Sequence, residues 1–237
     1  GVLSICGPKS RKFLANLCEV DLSDFSFPIN SLQNFYIGHA KVFAQRLSYT
    51  GELGWEIFVT PDFCDYVFDL LMKNGMKFGV KLVGSEALNA LRIEKGFLHW
   101  GYDMAYTDSP YQMRLEHVCK PDKAIPFIGQ EAFLAKKLSI GDYKLFSIKL
   151  RDAKPLLHRN EPVLKDGTVV GYVTSASYSQ HFERAIGLCL IQLNKDLLSE
   201  KVGFEKLINL LESIDEKYEA EDIQTKIYEI GMELNFD

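Results

Sequence analysis

Glu56 is a carboxylate set among large apolar side chains in Trp55-Glu56-Ile57-Phe58-Val59, a run of strand formers. A buried charge without a partner is costly, so a Glu56 turned inward needs one. Its two oxygens suit a pair of parallel donors; otherwise a strand glutamate faces solvent or pairs with a lysine. Seven residues earlier, Tyr49 offers a ring for stacking and a hydroxyl as a polar handle, or packs on the core as a turn residue. Arg92 lies in a stretch whose Ala87, Leu88, Leu91 and Ile93 describe a core-facing helix. A guanidinium buried there requires acceptors, and Glu94 and Asp103 are available for an internal ion pair. The five histidines show no ligand spacing, and neither HExxH nor CxxC occurs, so no metal is expected. Gly51-Glu52-Leu53-Gly54 is not a GxGxxG fingerprint, which leaves flavin or nicotinamide binding without support.

Two glycines within four residues, Gly51 and Gly54, make a sharp turn into the Glu56 strand. Glycine tolerates positive φ and lets a ligand come close to the backbone. Around that turn the chain reads in order as follows. Val2–Cys6 is a strand ending at Gly7-Pro8, and Lys9–Glu19 has helical spacing at Phe13, Leu14 and Leu17. Asp21–Asn34 is a loop, Gly38–Leu47 a strand, and Trp55–Thr60 the strand after the turn. Pro61 opens a helix with apolar Phe63, Val67, Phe68, Leu70 and Leu71, closed by Asn74-Gly75. Lys77–Val83 reads as a short strand. Ser85 is placed to cap the helix Glu86–Gly96, and a further helix runs over Gln130–Lys137. Beyond Gly141-Asp142 the pattern is all β: Tyr143–Leu150, Pro162-Val163, Thr168–Ser175 and Ala185–Leu193, with a hairpin turn at Lys165-Asp166-Gly167.

Several of these stretches resemble one family. Tyr49-Thr50-Gly51-Glu52-x-Gly54-Trp55-Glu56 is similar to a motif of folate-binding aminomethyltransferases, the T-protein of glycine cleavage. Ser48 and Trp55 bring it closer to the folate-binding regions of dimethylglycine and sarcosine dehydrogenases. The likeness continues in Leu91-Arg92-Ile93-Glu94-Lys95-Gly96, Trp100-Gly101-Tyr102-Asp103-Met104, Phe127-Ile128-Gly129-Gln130-Glu131-Ala132 and Gly171-Tyr172-Val173-Thr174-Ser175. It covers roughly residues 1–194. It implies an α+β fold: a partial folate-binding domain over 1–140, then a small antiparallel β-barrel-like domain over 141–198. It implies tetrahydrofolate as the acceptor of an aminomethyl or methylene unit, with a one-carbon donor. FAD would sit only on a separate flavin domain; that domain or a lipoyl carrier protein is the implied partner. By the same resemblance Glu56 receives the donor edge of a reduced pterin, and Tyr49 and Arg92 line the folate site. Trp100 and Tyr178 match site-proximal aromatics more loosely and read first as core residues. The family's aspartate that positions the reacting amine is expected before Gly1. Its C-terminal arginine has no counterpart in the tail, so no catalytic residue is assigned, and the chain by itself is expected to be inactive.

Composition adds bounds. At 237 residues and 47% hydrophobic, the chain suffices for one large or two small domains. No apolar run approaches the ~20 residues of a membrane span, and no signal peptide is read at the start. Five widely spaced cysteines suggest reduced, mostly buried thiols and a cytoplasmic location. The net charge of −5 is unevenly placed: residues 201–237 hold four basic and ten acidic residues, −6, and the remainder is +1. The neutral main body gives no reason to expect nucleic acid. From 199 onward, Leu207, Leu210, Leu211, Ile214 and Tyr218, then Ile223, Ile227, Ile230 and Leu234, predict two acidic amphipathic helices foreign to the family. Glu219–Gly231 resembles the C-terminal helical region of class I lysyl-tRNA synthetases, which would make the chain a fusion of two fragments.

Overall fold

The computed structural model describes residues 1–136, 138, 141–165, 167–194 and 225–228. Two compact units divide the chain, Gly1–Lys95 and Gly96–Asp237.

The first unit is a four-stranded antiparallel sheet with helices on one face. It runs β1 (Val2–Cys6), α1 (Ser10–Leu14), β2 (Leu32–Ile37), β3 (Ala40–Gln45), β4 (Gly54–Phe58), α2 (Pro61–Gly75), a 3-10 turn at Met76–Phe78, and α3 (Ser85–Glu94). The strands lie in the order β1-β4-β3-β2. Alternation sorts their side chains: Trp55 and Ile57 of β4, Val42 and Ala44 of β3 and Ile37 of β2 are buried with Phe13, Phe27, Val67 and Leu71. The other face carries Val2, Leu32, Tyr36 and Phe43, all exposed. Pro61 sits at the first helical position of α2, where its missing N–H costs nothing.

The second unit has α4 (Glu116–Cys119) and α5 (Gln130–Ala135), then β5 (Tyr143–Leu150), β6 (Pro162–Lys165), β7 (Thr168–Ser179), β8 (Arg184–Gln192) and β9 (Thr225–Tyr228). These strands form one antiparallel sheet in the order β6-β7-β8-β5-β9. Its core holds Phe146, Ile148, Leu150, Leu157, Val173, Cys189 and Ile191. Strand β7 loses register with β8 between Val173 and Ser175, so Thr174 is the extra residue of a β-bulge.

Several sequence expectations change. Lys77–Val83 forms no strand; the 3-10 turn ends at Gly79, whose φ of 75° suits only glycine comfortably, and residues 80–84 are irregular. Gly84, not Ser85, occupies the N-cap of α3. Strand β2 begins at Leu32, inside the stretch read as loop, because its alternation is masked by the polar Gln33 and Asn34. Residues 225–228, expected in a helix, pair with the edge of β5, Ile148 opposite Ile227. Thr-Lys-Ile-Tyr is rich in strand formers, and an isoleucine every fourth residue does not exclude a strand. The rest of the predicted tail helices lies outside the described residues. All five cysteines are free, but only Cys189 is buried; Cys18, Cys64 and Cys119 are half-buried and Cys6 is exposed.

Candidate ligand site

Glu56 stands on β4 between two neighbours fixed by register, Ser4 of β1 and Gln45 of β3. Directly paired residues of an antiparallel sheet share a face, with Cβ atoms about 4.5–5.5 Å apart. Trp55 and Ile57 point into the core, so Glu56 is turned to the opposite face, where it is half-buried. It is therefore no buried charge in search of compensation. Ser4, Glu56 and Gln45 make a polar row across three strands. The next row on that face is Val2, Phe58 and Phe43, in which the two phenyl rings stack at 4.8 Å and 7°.

The turn before β4 is built by its hydroxyls. Ser48 Oγ and Thr50 Oγ1 lie 2.7 Å apart and are both buried, and the N–H of Gly51 donates to the Ser48 carbonyl at 3.2 Å. Tyr49 lies between them, half-buried. Gly51 has a φ of 70°, and a Cβ there would come within 2.6 Å of the Lys95 side chain. At Gly54 a Cβ would meet the Ile5 carbonyl at 2.6 Å. Neighbouring chain, rather than open space for a ligand, thus accounts for both glycines.

Beneath the turn is an arginine that the sequence reading passed over. Arg46 is buried; its Nη1 donates to the Phe27 carbonyl at 2.8 Å and its Nη2 reaches Asp24 at 2.6 Å. Its guanidinium lies 6.0 Å from the Trp55 ring centre, within reach of a cation–π attraction. Asp24 also receives Arg11 at 2.5 Å. Hydrogen bonds from Arg46 and then Arg11 hold its carboxyl below the usual carboxylate range. The available signal was an arginine directly preceding a hydroxyl- and glycine-rich turn.

Arg92 is 1% exposed. Its Nε and Nη2 both donate to Asn89 Oδ1, at 2.9 and 2.7 Å, one turn earlier on α3. Within α3 a neutral amide orients the guanidinium; two polar residues three apart on one helix were the clue. Tyr49, Glu56 and Arg92 all belong to the first unit. Trp100 and Tyr178 belong to the second, and at 62% and 38% exposure neither is a core residue. Among the described residues no group of three or more His, Cys, Asp or Glu could hold a metal ion.

Comparison with known proteins also divides the chain in two, but later in the sequence than Lys95–Gly96. The family model for the GCVT N-terminal domain matches residues 1–123, and that for the glycine cleavage T-protein C-terminal barrel domain matches 144–224. Human mitochondrial dimethylglycine dehydrogenase is 33% identical over 207 residues, 87% of this chain and 24% of that protein. An aminomethyltransferase of Halothermothrix orenii is 32% identical over 204 residues, 85% of this chain and 55% of that protein. The solved aminomethyltransferase T of Bartonella henselae superposes with a TM-score of 0.63 at 24% identity, covering 81% of this chain and 51% of that one, a likeness of fold. The chain thus spans about a quarter of the dehydrogenase and about half of the aminomethyltransferase. The resemblance to lysyl-tRNA synthetases is not supported, and the barrel-domain model runs through residue 224, into the segment that carried it.

Proposed function

The chain belongs to the glycine cleavage T-protein family, and on that premise we propose that it is the tetrahydrofolate-binding region of a protein that transfers one-carbon units in amine or glycine catabolism. The observation that carries this reading is the setting of Glu56. A half-buried carboxylate lies in a polar row on the face of the sheet turned away from the core, beside a stacked aromatic pair. A reduced pterin has a row of ring N–H and amino donors along one edge and an apolar ring face. The residues present fit both features: Glu56 accepts the paired donors, and Tyr49 offers a ring. Arg92, oriented by Asn89, lines the site in this reading. Tetrahydrofolate, when bound, supplies the amine that takes up the carbon unit; the chain's part is to hold and orient it.

The reading extends to a one-carbon donor delivered from a flavin domain or a lipoyl carrier protein, and to Trp100 and Tyr178 as further contacts. The domain limits near 140 and 198 and the cytoplasmic location belong to the proposal as well; several relatives are mitochondrial by name.

The test is Glu56→Gln, which keeps the shape and turns one acceptor into a donor facing a donor. Charge-assisted bonds of this kind contribute roughly 1.5–3 kcal/mol each. Tetrahydrofolate affinity, measured by calorimetry, should fall at least about tenfold, or 1.4 kcal/mol. Equal affinity of parent and variant would remove Glu56 from the site and the proposal with it.

A further inference from the structure

The second unit buries a carboxylate that the folate reading does not use. Asp103 is 1% exposed, in the loop Trp100–Met104. Its Oδ2 accepts the His99 backbone N–H at 2.8 Å and its Oδ1 accepts the Thr174 hydroxyl at 2.6 Å. The His99 carbonyl in turn accepts the N–H groups of Tyr102 and Asp103, and the Gly101 N–H donates to the Met104 carbonyl at 2.8 Å. The loop is thereby closed on itself, with Gly101 at a φ of 83°. Thr174 is the bulge residue of β7, and its immediate neighbours Val173 and Ser175 are buried as well. A regular strand alternates its side chains between two faces. The extra residue breaks that alternation and frees the Thr174 hydroxyl to meet a loop 71 residues away in sequence. Outside the clamp, Trp100 and Tyr102 are exposed, with the Arg159 guanidinium 4.1 Å from the Tyr102 ring centre.

We propose that Asp103 is a positioning residue: through His99 and the Thr174 bulge it fixes the 99–104 loop, and so sets where Trp100 is presented to ligand. The importance of this placement rests on the assignment of Trp100 to the folate site; the clamp itself does not. These two hydrogen bonds can be made by an uncharged side chain as well. An asparagine can keep the His99 bond through its oxygen and donate its amide N–H to Thr174 Oγ. The Thr174 proton then goes to the Leu188 carbonyl, which already lies 3.2 Å away. Leucine at 103 can do neither.

The experiment is fluorine NMR of the full chain labelled with 5-fluorotryptophan. Its two tryptophans give two signals, with Trp55 in the first unit as an internal reference. Asp103→Leu and Thr174→Val should each move the Trp100 signal toward the solvent value and narrow it, leaving Trp55 in place. Asp103→Asn and Thr174→Ser should keep the parent signal. A Trp100 signal unchanged in Thr174→Val, or moved as far in Asp103→Asn as in Asp103→Leu, overturns the proposal. Should Asp103→Leu unfold the sheet, seen as lost amide protection in β5–β8, the Thr174 pair and Asp103→Asn decide the matter. Tetrahydrofolate affinity is read separately. A Trp100→Ala chain that binds tetrahydrofolate like the parent removes Trp100 from the folate site and leaves the clamp to be judged on the fluorine signals alone.

Discussion

Asp24 shows how a residue can be exposed and still organise its surroundings. Its carboxylate is open to solvent on one side, yet it joins Arg11 of α1 to the buried Arg46 under the turn. The lowered pKa fixes the sign of the pH effect: a group whose folded pKa is depressed contributes stability above its unfolded pKa and loses it as pH falls through the folded value. Asp24→Asn should therefore lower the melting temperature near neutrality. The gap to the parent should close as pH falls below the ordinary aspartate range near 4. Thermal scans from pH 7 to pH 2 check this, and a gap that persists in acid would show that Asp24 acts through shape instead of charge. Glu56 is the contrasting case. Register gives it Ser4 and Gln45 as neighbours, and alternation keeps it out of the core, so its substitution should be read in ligand affinity and hardly in stability.

The elements were legible to different depths, for physical reasons. Helix α2 was plain because proline at the start, an apolar stripe and Asn74-Gly75 at the end agree. The β-strands after Gly141 were plain because β-branched residues and the hairpin signal coincide. The bulge at Thr174 was not: one extra residue in a strand leaves no composition signal, and it shows only when β7 is laid against β8. The Asp103 clamp and the Arg46–Asp24 link were hidden likewise, since both join segments far apart in sequence. The 49–54 turn was legible as a turn, but the reason for its glycines was not, because it lies in Lys95 and Ile5. Gly51→Ala tests that reading. A left-handed alanine costs roughly 1–2 kcal/mol, and the Lys95 stem must also move. Urea unfolding should show a loss of at least that size. A loss below about 0.5 kcal/mol, ordinary for a surface change, would mean the turn relaxes away from positive φ.

At the scale of the whole molecule, buried apolar side chains among the described residues gather into one cluster drawn from residues 3–80 and another drawn from residues 146–191. A fully buried aliphatic side chain contributes only to the cluster it fills, because dispersion and burial act at contact range. Truncating one to alanine leaves a cavity and costs about 2–5 kcal/mol. Ile57 fills the first cluster and Leu150 the second, and both are fully buried. Ile57→Ala should thus weaken amide protection through β1–β4 and α2, with β5–β8 changed little; Leu150→Ala should do the reverse. Hydrogen exchange read by mass spectrometry resolves the two regions in one experiment. If either substitution lowers protection equally on both sides of Lys95–Gly96, the chain opens as one cooperative block, and stability cannot be assigned unit by unit. Adding tetrahydrofolate extends the same measurement to function. A ligand that binds only the folded form stabilises what it binds by RT ln(1 + [L]/Kd), about 2.7 kcal/mol at a hundredfold excess over Kd. Protection should rise across the Tyr49 turn, β4 and α3, where Tyr49, Glu56 and Arg92 lie. A rise confined to residues beyond Gly96 would place the ligand away from Glu56 and leave the pterin reading of that carboxylate without support.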